Sequence, residues 1–253
     1  MLTLEEYEKL NPRCEILHQG MKVFFVTPTV FTKWRVDSLF EKEPVTIQWI
    51  AKFAPDDVLV DVGANVGMYT IWAAKTRGVK VFAFEPEAQN YALLNRNIAL
   101  NALGGLVKAY CLGLSDQAGY SELHLSNLQL GGSCHSLGER VDFAHRPMKP
   151  VFSQGCVAAR LDDLVAGGVV LPPDHIKIDV DGFEPKVIAG ARRVLEDGKV
   201  RSLLIETNQN LADHLQMVED LKSLGFRYDP VQVAAAERKS GAFKGVAEYV
   251  FTR

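Results

Sequence analysis

Residues 58–70 read V-L-V-D-V-G-A-N-V-G-M-Y-T, and no other stretch restricts the fold of this chain as tightly. A short apolar run, Val58-Leu59-Val60, ends in Asp61 and passes into a loop with glycines at 63 and 67. An apolar, helix-compatible stretch from Met68 to Lys75 follows. A buried parallel strand turning tightly into a helix has this pattern. The glycines let the backbone approach a ligand closely, and the helix N-terminus offers it free N–H donors. The segment reads as a nucleotide-cofactor loop.

Two kinds of cofactor place their acids and glycines differently. A dinucleotide fold wants G-x-G-x-x-G, so that a pyrophosphate can sit on the helix N-terminus. Here Asn65 stands where a middle glycine would be, and no third glycine falls at the required place. Asp61 lies two residues before the first glycine, where a carboxylate would repel a pyrophosphate and would suit a cationic ligand.

From Asp57 onward the pattern alternates regularly. Strands are predicted at Val58–Val62, Val79–Glu85, Val107–Leu114, His175–Val180 and Val200–Glu206, and helices at Val66–Thr76, Glu87–Asn101, Pro185–Glu196 and Leu211–Leu224. Such alternation implies a doubly wound, mostly parallel α/β sheet. At the C-terminus, Phe226–Pro230 and Ala247–Phe251 read as an antiparallel hairpin joined by a polar loop. Residues 1–56 form a lead-in, with Val23–Val30 as a strand and a helix opening at Pro44. The main domain is then 57–253. Within it, 115–157 breaks the rhythm. Beyond a short strand at Tyr120–Leu125 it is a Gly/Ser/His-rich loop, too long for an ordinary connection.

At 253 residues and 47% hydrophobic, the chain suits a single core. A net charge of −3 argues against a nucleic-acid binder working through a basic face. The four cysteines show no C-x-x-C pair, and no apolar run approaches the ~20 residues of a membrane span. The charged N-terminus lacks the apolar centre of a signal peptide. These features predict a soluble cytoplasmic protein.

In a doubly wound sheet, ligands sit beyond the carboxyl ends of the strands. Glu85 would stand at that edge, where a carboxylate can accept hydrogen bonds from vicinal ribose hydroxyls. Glu87 fits a helix-start acid instead. Asp116, after Ser115, could accept from an adenine amine or simply make a turn. The segment Ile176-Lys177-Ile178-Asp179-Val180-Asp181-Gly182-Phe183-Glu184 places three carboxylates within six residues at the same edge. Asp179, Asp181 and Lys177 would share a face. Lys177 could neutralise Asp179, and close carboxylates could raise one member toward the range of a useful base. Asp179, Asp181 and Glu206 with Asn208 are oxygen donors that Mg²⁺ accepts, but the spacing is generic and no metal ligand is assigned.

The stretches D-V-G-A-N-V-G-M-Y-T, F-A-F-E-P, G-L-S-D, I-K-I-D-V-D-G-F-E-P-K-V-I-A-G-A and L-L-I-E together resemble the FkbM-type family of class I methyltransferases. Arg35 and Glu43-Pro44-Val45-Thr46 resemble that family's lead-in, which would fold over the cofactor. The resemblance implies a Rossmann-like seven-stranded sheet with its last strand antiparallel. It implies S-adenosylmethionine held by Asp61, Gly63, Asn65, Gly67 and Glu85, with Asp116 near adenine; Glu43, Ala64, Pro86, Ser115 and Asp179 complete the expected contacts. It implies O-methylation of a hydroxyl on a sugar, glycan or polyketide-type product, with acceptor specificity in the 115–157 insertion.

Removing the acceptor's proton needs a base. Asp181 is assigned that role, supported by Asp179 and Glu184, with His135 as the alternative and His135 and Ser136 as acceptor contacts. His18, His124, His175 and His214 are read as exposed, Tyr69 and Trp72 as packing residues, and Cys134 as a bystander. Two other readings stay open. An NAD-dependent oxidoreductase would bind a pyrophosphate, and a non-catalytic module on the same fold would carry a degraded loop.

Overall fold

Which face each strand side chain takes decides the layers. In a strand, successive side chains alternate between faces, and the computed structural model, which describes residues 2–253, shows both faces covered. The lead-in comprises α1 (Leu4–Lys9), a hairpin of β1 (Arg13–His18) and β2 (Met21–Val26), then α2 (Val30–Asp37) and α3 (Pro44–Ile50). The predicted strand at Val23–Val30 therefore ends early. Thr29 caps α2 through a reciprocal pair of bonds with Thr32, which turns the chain into a helix at Val30.

The alternating core follows: β3 (Val58–Val62), α4 (Met68–Arg77), β4 (Lys80–Phe84), α5 (Ala88–Leu100) and β5 (Val107–Tyr110). β6 (Gly113–Leu114) leads into the insertion, which holds β7 (Gly119–Leu125), β8 (Ser136–Leu137) and most of β9 (Phe152–Ala159), and α6 (Leu161–Ala166) follows. The chain then runs through β10 (His175–Ile178), α7 (Glu184–Gly190), α8 (Arg192–Glu196), β11 (Ser202–Asn208), α9 (Ala212–Ser223), β12 (Arg227–Tyr228), α10 (Pro230–Ala236) and β13 (Val246–Thr252).

Seven strands form the main sheet in the order β12-β13-β11-β10-β3-β4-β5. The five strands from β11 to the β5 edge are parallel, and β13 runs antiparallel to both β11 and β12. Val58, Val60, Val62, Phe82, Phe84, Ile176 and Ile178 point to one face, against α6 to α9. Leu59, Val81, Ala83 and Leu204 point to the other, against α3, α4, α5 and the hairpin. From β3 the chain winds outward through β4 and β5, then returns to build β10 and β11 on the other side. The carboxyl ends of β3 and β10 thus meet at the topological switch point.

Four further expectations about elements need correction. The predicted strand Val107–Leu114 is two pieces: β5 stays in the main sheet, while β6 leaves it to pair with β9. The insertion is not a loop but contributes a second sheet, ordered β6-β9-β7-β8; its sparse apolar positions hid β9. The helix predicted at Pro185–Glu196 breaks at Ala191. The connection before β13 contains α10, capped by Asp229 with Pro230 at its first position. Among the described residues no helix is long and apolar enough to cross a membrane.

Candidate active site

The switch point opens into a cavity of about 380 Å³ with a smaller lobe of about 40 Å³ beside it. Gly63, Asn65 and Asp179 line both parts. Gly63 takes φ +78°, and a Cβ there would stand 1.9 Å from the carbonyl oxygen of Asp179. Only glycine lets the loop after β3 pass the end of β10. Gly67, also left-handed, ends that loop as the cap of α4 and lies outside the cavity lining.

The small lobe is a mixed-charge chamber. Asp61 is 1% exposed, accepts from Thr70 Oγ1, and has no partner for its Oδ1. Burial raises its pKa, opposed by Lys177 on the neighbouring strand. Lys177 is itself buried, donates to Asp179 at 3.1 Å and lies 5.3 Å from the Tyr69 ring centroid. Glu43 and Lys42 of the lead-in close this lobe, paired at 2.6 Å. Tyr69 packs against the core, as read, and lines this lobe as well. Trp72, by contrast, is buried against His18 and Phe40.

At the end of β4, Glu85 is 5% exposed yet lines the cavity. Its oxygens accept from the backbone N–H of Asn65 at 2.7 Å and of Glu87 at 2.9 Å. Burial pushes its carboxyl up to about 7 against those two donors. Glu87 caps α5 by accepting from Gln89 and Asn90. Pro86, Leu112, Leu114 and Ser115 continue the wall. Asp116 does not; its carboxylate accepts from Ser115 Oγ at 3.0 Å. Ala64 lines the small lobe, but its amide, like that of Gly63, is spent on the Phe84 carbonyl.

On the far side, Asp179, Asp181 and Glu206 each bring a carboxylate oxygen within 4.8 Å of the others. Burial works against ionising Asp179, but Lys177 and Lys42 outweigh it and hold it below the usual carboxylate range. Burial and then the neighbouring Asp179 push Asp181 up. Burial and Asp179 raise Glu206 as well, although Arg238 donates to it at 2.7 Å. Asn208, the fourth oxygen donor considered, turns away and accepts from Asn210. Asp181 sits at φ +55° with its Oδ2 accepting the Cys134 amide at 2.6 Å. Asn65 (+52°), Cys134 (+61°) and His145 (+57°) share this uncommon conformation. Of these, Asn65 and Asp181 line the cavity, while Cys134 and His145 lie in the insertion.

Glu184 must be corrected. It is fully buried beneath the turn, accepts from Val180 and Gly182, and lies outside the cavity, with burial pushing its carboxyl up to about 8. It positions the turn rather than meeting a substrate. Ser136 is corrected likewise: it is buried and donates to the Glu139 carbonyl, while His135 does line the cavity. Three histidines read as exposed, His124, His175 and His214, are 3%, 5% and 1% exposed.

The sequence did not single out Phe31, Trp34, Arg238 or Phe243 as wall residues. Phe31 stacks on Trp34, and Arg238 lies over Phe243. Their placement depends on how the lead-in and the last loop fold back, which no local pattern encodes. Arg35 donates to the Gly131 carbonyl, and Asn65 and Asn90 both donate to that of Gly132, so three distant segments fix the insertion over the cavity.

This geometry has relatives. Hexuronic acid methyltransferase AglP of Haloferax volcanii is 28% identical over 70% of this chain and 67% of its own length. The 31-O-demethyl-FK506 methyltransferase FkbM of Streptomyces tacrolimicus is 28% identical over 68% of this chain and 73% of its own. Methyltransferase sdnD of Sordaria araneosa is 44% identical over 28% of this chain, which spans only 27% of it. The Methyltransferase FkbM domain matches residues 61–228. That match begins at Asp61 and takes in Glu85, the insertion, the acids after β10 and Glu206 in one run, so the chain belongs to the FkbM methyltransferase domain family.

Proposed function

We propose that this protein transfers a methyl group from S-adenosylmethionine to a hydroxyl oxygen of a sugar-bearing or polyketide-type acceptor. One observation carries the reading: Asp61, whose buried Oδ1 has no partner, lines a chamber of balanced charge that joins, past Gly63, the ribose-type acid Glu85. An amino-acid end carries both signs, so the lysines and acids of the chamber fit it better than the acids alone. Asp61 and Glu43 would hold the ammonium, Lys42 and Lys177 the carboxylate, and Glu85 the ribose hydroxyls. When bound, the cofactor supplies an electrophilic methyl group on a sulfonium. The chain's own task is to orient the acceptor, remove its proton and exclude water. Phe31, Trp34 and Phe243 offer flat apolar walls for a ring, and Asp179, Asp181 and Glu206 offer acceptors for its hydroxyls. The activities named for AglP and FkbM, on a hexuronic acid and on 31-O-demethyl-FK506, are of this kind.

Calorimetry tests the donor half. The protein is expected to bind S-adenosylmethionine, and Asp61→Ala to weaken binding by about 1–3 kcal/mol, as loss of a charged hydrogen bond would. No detectable binding by the intact protein sinks the reading. Mass spectrometry of glycans and secondary metabolites, with and without the gene, tests the acceptor half as a shift of one methyl group.

A pH effect follows from Glu85. Ribose hydroxyls donate to its ionised form, so binding should tighten as pH rises through about 7 and weaken below it. Between pH 6 and pH 8 the ionised fraction grows about tenfold, and the dissociation constant should fall by a similar factor. The cofactor's own ammonium titrates nearby, and Glu85→Gln separates the two. A variant that keeps the full pH dependence removes Glu85 from the ribose edge.

A further inference from the structure

The turn that carries Asp181 is gripped through one carbonyl. Gly182 O lies 2.8 Å from His145 Nε2, on the insertion, and 3.1 Å from His214 Nε2, on α9. His214 leaves no choice of tautomer. Its Nδ1 accepts the backbone N–H of Asn208 at 3.1 Å, so that nitrogen carries no proton and Nε2 carries the one it donates. A carbonyl oxygen can only accept, so His145 also presents Nε2–H. The amides of Val180 and Gly182 donate to Glu184, whose carboxylate lies 3.6 Å from His214 Nε2. A Cβ on Gly182 would meet the Phe143 backbone at 3.0 Å, so the insertion presses directly on the turn.

His145, Asp213 and His214 also have donor atoms within 4.8 Å of one another, the grouping of a transition-metal site. The tautomer speaks against it. A metal on His214 Nε2 would put the proton on Nδ1, facing the Asn208 N–H, donor against donor.

We propose that His145 and His214 are positioning residues, a pair of imidazoles clamping the Gly182 carbonyl so that the insertion is locked over the cavity and Asp181 is held in its left-handed conformation. The clamp joins the insertion, the turn after β10 and α9. It delivers Asp181 to the amide of Cys134, whose segment reaches the cavity through Ser133 and His135. Its catalytic meaning rests on the methyl-transfer reading.

The test uses the full chain and the variants His145→Ala and His145→Gln. Position 145 sits at φ +57°, so both variants carry the same backbone strain, and only the glutamine keeps an N–H donor. In ¹⁵N-histidine spectra, His214 is expected as the neutral Nε2–H tautomer, unchanged by added Zn²⁺. In hydrogen exchange, His145→Ala should speed the amides of Cys134, Val180 and Gly182 by tenfold or more and leave that of Asn65 unmoved, with His145→Gln restoring them. Label transfer from S-adenosylmethionine into a glycan extract should fall about tenfold in the alanine variant and recover in the glutamine one, with the cofactor KM unchanged. A proton on His214 Nδ1, stoichiometric Zn²⁺ shifts, unmoved exchange or transfer in the alanine variant, or no rescue by glutamine would each overturn the clamp. Failure of the wild type to bind S-adenosylmethionine sinks the methyltransferase reading instead and leaves the tautomer and exchange results to judge the clamp.

Discussion

Asp181→Asn is expected to keep S-adenosylmethionine binding and to lose about 10²–10⁴-fold in methyl transfer, the usual range for removing a positioned base. Its carboxylate lines the cavity, and its pKa is raised by burial and by Asp179, so it has the basicity its neighbour lacks. Asp179 cannot substitute, because Lys177 and Lys42 hold it ionised and weakly basic. Asparagine preserves size and tolerates the left-handed backbone, so the fold should survive. Calorimetry for the cofactor and label transfer for turnover separate the two effects. A fully active Asn variant would take Asp181 out of the chemistry and leave His135, which also lines the cavity, as the base.

The second large effect concerns stability. Gly63→Ala is expected to destabilise the protein by about 2–5 kcal/mol. Overpacking against an immovable carbonyl costs about 1–3 kcal/mol, and the left-handed backbone about 1–2 more. The obstacle is the Asp179 backbone, and no side chain can swing aside to relieve it. Gly78 makes the control: it sits at φ +68° with nothing within 4 Å of a built Cβ, so Gly78→Ala should show only the backbone cost. Urea denaturation of both variants decides, and equal losses would mean the loop yields.

Much of the fold, and the strand-end acids of the candidate site, are legible in the order of the residues. The strands β3, β4, β10 and β11 announce themselves because they are buried on both faces and read as apolar runs, and the placement of Glu85 and Asp179 at the sheet's carboxyl edge follows from where those strands end. Glu184 misleads because an acid three residues from another looks functional in a row of letters, while the chain tucks it under the turn. His214 misleads in the opposite direction: nothing nearby in sequence says that Asn208 and Gly182 will satisfy both its ring nitrogens in the interior. Tyr69, adjacent to the glycine loop, packs against the core as its apolar surroundings suggest, and only the fold brings Lys177 and Glu43 beside it.

Local sequence suffices for the layer architecture, the family and the acids at the strand ends, because those depend on hydrophobic period and on glycines at strained turns. The charge balance around Asp61, the walls formed by Phe31, Trp34 and Phe243, and the clamp on Gly182 come from the folded chain instead. Each of these joins residues from segments remote in the chain, and only the winding of the sheet brings them within bonding distance.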